Sequence, residues 1–411
     1  MPGRDAMNAV GSPLPQQDRE RRRPGYGTHA ITYAVLGGLI LGAVLLRGAT
    51  WMRHPTSKGD VPVVLEQYTR SRVPGLQYIV VDSGGVVFEY AGGWADIKHR
   101  KAMTPATTLM AYSMTKVVTA MVVLQLVDKG AVGLDDEIDR YLPDTPYRGR
   151  HITIRQLLAH TAGLPNPIPL RWAHLAEADR GFDEAEALAR VLREHPKLAF
   201  DPGEKFAYSN IGYWLLGKIV ERATGHAYED NVAANVLVPL HLSPQEMAFV
   251  IPDPARHANG YLARCSLLNL VKGFVTDSGF WGEYEGRWLR VRSHHLDGLA
   301  FGGLVGTARS FARLLQDQLR SESVLFRPET RRLLETQQVT GGGEPVPMTL
   351  GWHIGETGGV GYLFKEGGGG GFHAEMRLYP TRGLASVVMV NSTTFSSTRF
   401  LNRMDGAFLK P

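Results

Sequence analysis

The amino-acid sequence predicts an α+β fold. One mostly antiparallel sheet is assembled from both ends of the folded chain, helices flank it, and an all-helical subdomain is inserted between the ends. Three observations predict this. Leu76–Asp96 ("LQYIVVDSGGVVFEYAGGWAD") places two β-rich runs around Ser83-Gly84-Gly85, the pattern of a hairpin. Ala374–Ser392 ("AEMRLYPTRGLASVVMVNS") repeats the pattern around "PTRG". The stretch between them is dominated by helical patterns, and terminal strands separated by helices pair most simply in one sheet.

Taken in chain order, residues 1–29 are rich in Pro, Arg, Gly and Gln and read as a basic, disordered tail. Ala30–Leu46 is 17 residues without a charge, about 25 Å as a helix and near the lower limit for spanning a bilayer. Arg47 can snorkel at its end, and Trp51 can sit at the interface. The arginines at 19–23 place the N-terminus in the cytosol. The expectation is a single-pass signal-anchor in a bacterial inner or cell membrane, with the rest of the chain periplasmic or extracellular. A cleaved signal peptide is the alternative, although no clean A-x-A site follows the apolar run. Residues 47–61 read as a linker and 62–411 as one folded domain.

Within that domain Thr115–Lys129 is apolar on nearly every face, the mark of a buried helix. "TIRQLLAH" (153–160), Phe182–Glu194, "IGYWLLGKIVERATG" (211–225, with Gly225 as C-cap) and residues 307–320 give four more helices. Residues 265–300 are less regular. Their Trp281, Tyr284 and Trp288 either line a cleft or simply pack.

Composition excludes several function classes. Of 411 residues 44 % are hydrophobic and 21 % charged, as in globular proteins. The net charge is +5, but residues 1–60 hold eight Lys/Arg against four acids, so the excess belongs to the tail. No basic stripe interleaved with aromatics is present, and nucleic acid is not an expected partner. Cys265 is the sole cysteine, so no internal disulfide can form. There is no CxxC, no HExxH and no third ligand beside His294-His295, so neither metal nor cofactor is expected. "VDSGGV" (81–86) and "TDSGF" (276–280) read as turns, and no GxSxG nucleophile elbow occurs.

The chemistry rests on three short stretches. In "SMTK", Ser113 and Lys116 lie at i and i+3 and share a helix face. A helix starting near Ser113 would put the hydroxyl at its positive end, where backbone N–H groups are unpaired. A serine needs a base, and a lysine serves only when burial or a second cation lowers its pKa. The plainer reading is a serine cap with a solvated lysine. "YSN" (Tyr208-Ser209-Asn210) stands before a helix; a tyrosine can shuttle a proton and an asparagine can hold an amide or the lysine, or the stretch simply caps the helix. "KEGGGGGF" begins with Lys365, which can bind a carboxylate or help depress Lys116. Its glycines, Gly367 and Gly368 among them, let another backbone approach closely.

Together and in order, "SMTK", "LLAHTAGL", "FDPGEKFAYSNIGYWLLGKIVERATG", "GGLVGTARSFARLL" and "KEGGGGGF" resemble the serine β-lactamase and penicillin-binding family. The likeness is to the branch with class C β-lactamases, D-alanyl-D-alanine carboxypeptidases and related esterases, and it covers about residues 62–411. It implies a sheet domain plus a helical domain with the active site in the cleft between them. It also implies Ser113 as acylated nucleophile, Lys116 as its base, Tyr208 as proton relay, and Asn210 as a guide for Lys116 or substrate. Lys365, Gly367 and Gly368 would bind substrate, with the Ser113 and Gly368 N–H groups as oxyanion hole; His160 would fix a loop. Lys365 stands where this branch often has histidine and is expected to stay charged at all relevant pH, and the following Glu366 is also unusual. The implied activity is acyl-enzyme hydrolysis of an ester, amide or β-lactam carbonyl in a small-molecule or peptide substrate. A silent envelope sensor or scaffold binding peptidoglycan-like or peptide ligands is the alternative.

Overall fold

The computed structural model describes Pro55, residues 57–167 and residues 172–409. The expected tail, the apolar segment 30–46 and most of the 47–61 linker lie outside the described residues. Among the described residues no helix is long and apolar enough to cross a membrane.

The sheet is built from both ends of the domain. Its seven strands run, in spatial order, His353–Thr357, Val360–Gly368, His373–Tyr379, Leu384–Val390, Gly75–Asp82, Val86–Asp96 and Lys101–Ala102, all antiparallel. Both expected hairpins are present. In the first, Asp82 Oδ1 accepts the N–H groups of Gly84 (2.8 Å) and Gly85 (2.9 Å), a side chain standing in for a turn's backbone acceptor. In the second, Pro380–Arg382 turns and Gly383 takes φ 61°, a left-handed conformation that costs glycine little.

The central strands are apolar on both faces because both faces are covered. Along Leu384–Val390, Ala385, Val387 and Met389 enter the main core, while Val388 and Val390 enter a second core on the other side. Gly75–Asp82 divides the same way, Ile79 and Val81 against Tyr78 and Val80. The main core contains Thr115–Asp128, whose residues from Thr115 to Gln125 are all buried. The second core is closed by Val61–Ser71 and Ser397–Met404, two helices the sequence patterns did not reveal.

The other helices fall where expected, at Ile154–Leu158, Glu184–Glu194, Asn210–Thr224 and Ala308–Leu319. Thr153, Asp183, Ser209 and Thr307 each accept a first-turn N–H, and Gly225 ends its helix at φ 74°. The stretch read as irregular is more ordered than expected. It holds the helix Leu267–Val275 and, with Gly260–Ala263, a three-stranded sheet from Trp281–Glu285 and Trp288–Val291. Leu262, Leu289 and Val291 form a small apolar centre for it, too small to show as periodicity.

Candidate active site

Ser113 lies in a 3-10 turn, Tyr112–Met114, directly before the central helix Thr115–Asp128. Tyr112 takes φ 47°, uncommon for a residue with a side chain. Three contacts hold this turn. Leu109–Met110 pairs with Val305–Gly306, Ala111 N–H donates to Leu304 O (2.9 Å), and Leu304 N–H donates to Thr115 Oγ1 (3.1 Å). The cap reading of "SMTK" fails: Met114 is the N-cap and caps nothing with its side chain, and Lys116 is 0 % exposed.

Lys116 Nζ has three neighbours: Ser113 Oγ at 3.0 Å, Asn210 Oδ1 at 2.7 Å and Phe301 O at 2.7 Å. The last two can only accept. A neutral amine has two N–H bonds and one lone pair. Those two acceptors take both N–H bonds, which leaves the lone pair for the Ser113 hydroxyl. Burial pushes the Lys116 amine well below the ordinary lysine range, and Lys365 pushes the same way.

Tyr208 donates to Ser113 Oγ from the other side at 2.8 Å. Burial raises its phenol above 10, so it keeps its proton and donates; the Ser113 contact pulls it down less. The "YSN" stretch therefore serves both readings. Ser209 caps the helix Asn210–Thr224, while Tyr208 and Asn210 face the serine and the lysine. His160, at φ 56°, fixes the stretch: its Nδ1 accepts Ser209 N–H (3.1 Å), its carbonyl accepts Ala207 N–H (2.9 Å), and its ring lies 4.3 Å from that of Tyr208.

Lys365 is fully buried, with Nζ 5.1 Å from the centre of the Tyr208 ring. The expectation that it stays charged at all relevant pH is corrected here: desolvation brings it down to about 7. His353 Nε2 lies 3.4 Å from that Nζ. His353 is brought down to about 2 by burial and by both lysines, so it stays neutral and accepts from Lys365.

Gly367 is required by close approach. A Cβ there would lie 2.0 Å from Ala111 O and 3.1 Å from Ser113 N. Gly368, one residue on, lines the same cavity as Ser113, Tyr208 and Asn210. That cavity holds about 680 Å³, and its outer wall is apolar, with Leu268, Phe280, Trp281 and Phe364. Of the three aromatics flagged in the sequence, Trp281 lines the cleft, Trp288 is buried and Tyr284 is exposed.

Three members escaped the sequence analysis. The Phe301 carbonyl is invisible because any residue carries one. His353 lies on an edge strand, 12 residues from Lys365, and is joined to it only by pairing with Phe364. Asn166 accepts from the Asn210 N–H (3.0 Å) and Nδ2 (3.1 Å), fixing which end of the Asn210 amide faces Lys116. Its signal, an Asn between two prolines after "HTAGL", was readable as a special loop.

A family model described as Beta-lactamase matches residues 63–407. Penicillin-binding protein 4* of Bacillus subtilis (strain 168) is 28 % identical over 187 residues, 45 % of this chain and 41 % of that protein. Protein flp of Staphylococcus aureus (strain N315) is 30 % identical over 185 residues, 44 % of this chain and 36 % of that protein. The matched region thus spans less than half the length of these curated relatives. Among solved structures, SurE aligns with TM-score 0.63 at 28 % identity, over 85 % of this chain and 76 % of that one. D-amino acid amidase from Ochrobactrum anthropi SV3 aligns with TM-score 0.72 at 22 % identity, over 85 % and 98 %.

Proposed function

Since the chain belongs to the β-lactamase family, we propose that it is a serine hydrolase that cleaves an ester, amide or β-lactam carbonyl through an acyl-enzyme on Ser113. One observation carries the reading: Ser113 Oγ sits between the buried Lys116 amine, 3.0 Å away, and a phenol donating to it at 2.8 Å.

The chemistry follows from those contacts. Lys116 takes the Ser113 proton as Oγ attacks the carbonyl carbon. The oxyanion is received by the Ser113 and Gly368 N–H groups, and the loss of one such donor typically costs on the order of 10²–10³ in rate. Tyr208 gives its proton to the departing oxygen or nitrogen and is reprotonated from Lys116 by way of the same network. Water then attacks the acyl-enzyme with the groups in reversed roles, which regenerates Ser113. Asn210, held by Asn166, positions Lys116, and Lys365 keeps that amine depressed.

The test is a panel of p-nitrophenyl esters, a chromogenic cephalosporin and a D-Ala-D-Ala peptide, assayed with wild type and Ser113→Ala, together with labelling by a fluorophosphonate. Ser113-dependent turnover and labelling are expected; equal rates for the two proteins remove the nucleophile. Membrane anchoring through residues 30–46, with the domain outside the cytosol, is proposed from the sequence alone and is checked by cell fractionation and protease accessibility.

A further inference from the structure

The charge balance of the cleft is one-sided. Among the described residues that line it there is no lysine or arginine, and Glu366 is the one carboxylate. Lys365, the cation next to it in sequence, is fully buried and is not part of the lining. Three histidines line it: burial holds His294 and His353 below the ordinary imidazole range, so those two add no positive charge near neutral pH, and the third, His373, lies against Glu366.

Glu366 is built into place. Its Oε1 accepts from Ser397 Oγ at 3.1 Å and lies 2.5 Å from His373 Nε2, while its side chain stays 43 % exposed. The His373 contact holds the carboxyl below its ordinary range despite partial burial, so it is ionised. Glu366 and Gly368 lie two apart on one strand and project to the same side, about 7 Å apart at the usual rise. The Glu366 charge is also felt at the Tyr208 phenol, which it pushes upward. The Glu366 carboxylate, held by His373 and Ser397, therefore lines the same cavity as Ser113 and Gly368, whose apolar wall weakens screening.

We propose that Glu366 is a specificity-determining residue that acts as a charge filter: the cleft accepts acyl substrates that are neutral or carry an ammonium group beside the scissile carbonyl, and disfavours those that carry a carboxylate there. The inference rests on the serine-hydrolase reading. It assigns the preferred substrates to neutral esters and amino-acid amides or esters with a free amine, and sets carboxylate-bearing β-lactams and peptide C-termini against them.

The experiment compares kcat/KM for p-nitrophenyl butyrate (neutral), D-alanine p-nitroanilide (ammonium) and a chromogenic cephalosporin (carboxylate), using wild type, Glu366→Gln and Ser113→Ala at pH 7, where the α-amine is mostly protonated, and low ionic strength. In Glu366→Gln the cephalosporin-to-butyrate ratio should rise by on the order of ten- to a hundredfold, and the anilide-to-butyrate ratio should fall. Unchanged ratios overturn the filter. Should Glu366→Gln not fold, the wild type in 0.5 M salt replaces it: screening should raise the cephalosporin-to-butyrate ratio, and a ratio that stays put overturns the filter equally. The two readings fail differently. Equal activity in Ser113→Ala and wild type, or no turnover of any substrate, removes the hydrolase and the filter with it, whereas Ser113-dependent turnover with fixed ratios removes the filter alone.

Discussion

Replacing Lys365 by methionine tests the electrostatic core of the site. In the folded protein this amine titrates at about 7, against 10.5 ordinarily, with burial as the cause. Because its folded pKa is depressed, the unfolded chain binds more protons throughout the interval between those values. Stability therefore rises with pH across it and falls toward its lower end. At about 1.4 kcal/mol per pH unit the whole interval amounts to about 5 kcal/mol, of which about 2 kcal/mol is regained between pH 7 and 9. Methionine fills a similar volume with no charge to desolvate. Lys365→Met should thus be more stable than wild type at pH 7 by a few kcal/mol, and that advantage should shrink by about 2 kcal/mol by pH 9. Urea denaturation of both proteins at pH 7, 8 and 9 reads this directly. The same change removes the cation that helps depress Lys116, so the acid limb of the kcat/KM–pH profile should move to higher pH. A variant less stable than wild type at pH 7, or a stability difference that is flat with pH, would refute the account of Lys365 as a desolvated, half-neutral amine.

Three further outcomes are expected. Gly367→Ala drives a Cβ into Ala111 O beside Ser113; it should cost about 1–3 kcal/mol in thermal unfolding and lower kcat at least about a hundredfold if the proposed oxyanion donors shift. Asn166→Ala removes the acceptor that orients Asn210; kcat should fall about tenfold with KM little changed, and Asn166→Asp, which keeps an acceptor, should recover part of the loss, as steady-state kinetics will show. Arg377 is fully buried against Glu375 at 2.6 Å and also donates to Asn402; Arg377→Met leaves that carboxylate without its cation and should cost about 3–5 kcal/mol in denaturant titration.

The resemblance between sequence expectation and structure is uneven, and the reasons are local. Strands and helices with strong patterns were readable: the apolar run after Lys116, the Gly84-Gly85 turn and the Gly225 cap each depend on neighbours within a few residues. The helix Val61–Ser71 was not, because its apolar face is short, Val61, Val64, Leu65 and the partly buried Tyr68, and it gains its place by covering the far side of the sheet. The order within residues 265–300 likewise depends on pairing with Gly260–Ala263, outside the stretch that was read as irregular.

Of the groups that the structure brings together around Ser113, the sequence by itself singled out those with distinctive chemistry in distinctive company: Ser113, Lys116, Tyr208, Asn210, Lys365 and the glycines after it. It could not determine protonation. Whether Lys116 is a base or a cap ornament, and whether Lys365 is a fixed cation or a group poised near neutrality, depends on how much water folding removes and on what lies across the cleft. Those are sums over residues far apart in the chain, such as Phe301, His353 and Asn166. Only the tertiary structure supplies them, since desolvation and Coulomb interaction act through space and leave no mark on sequence spacing.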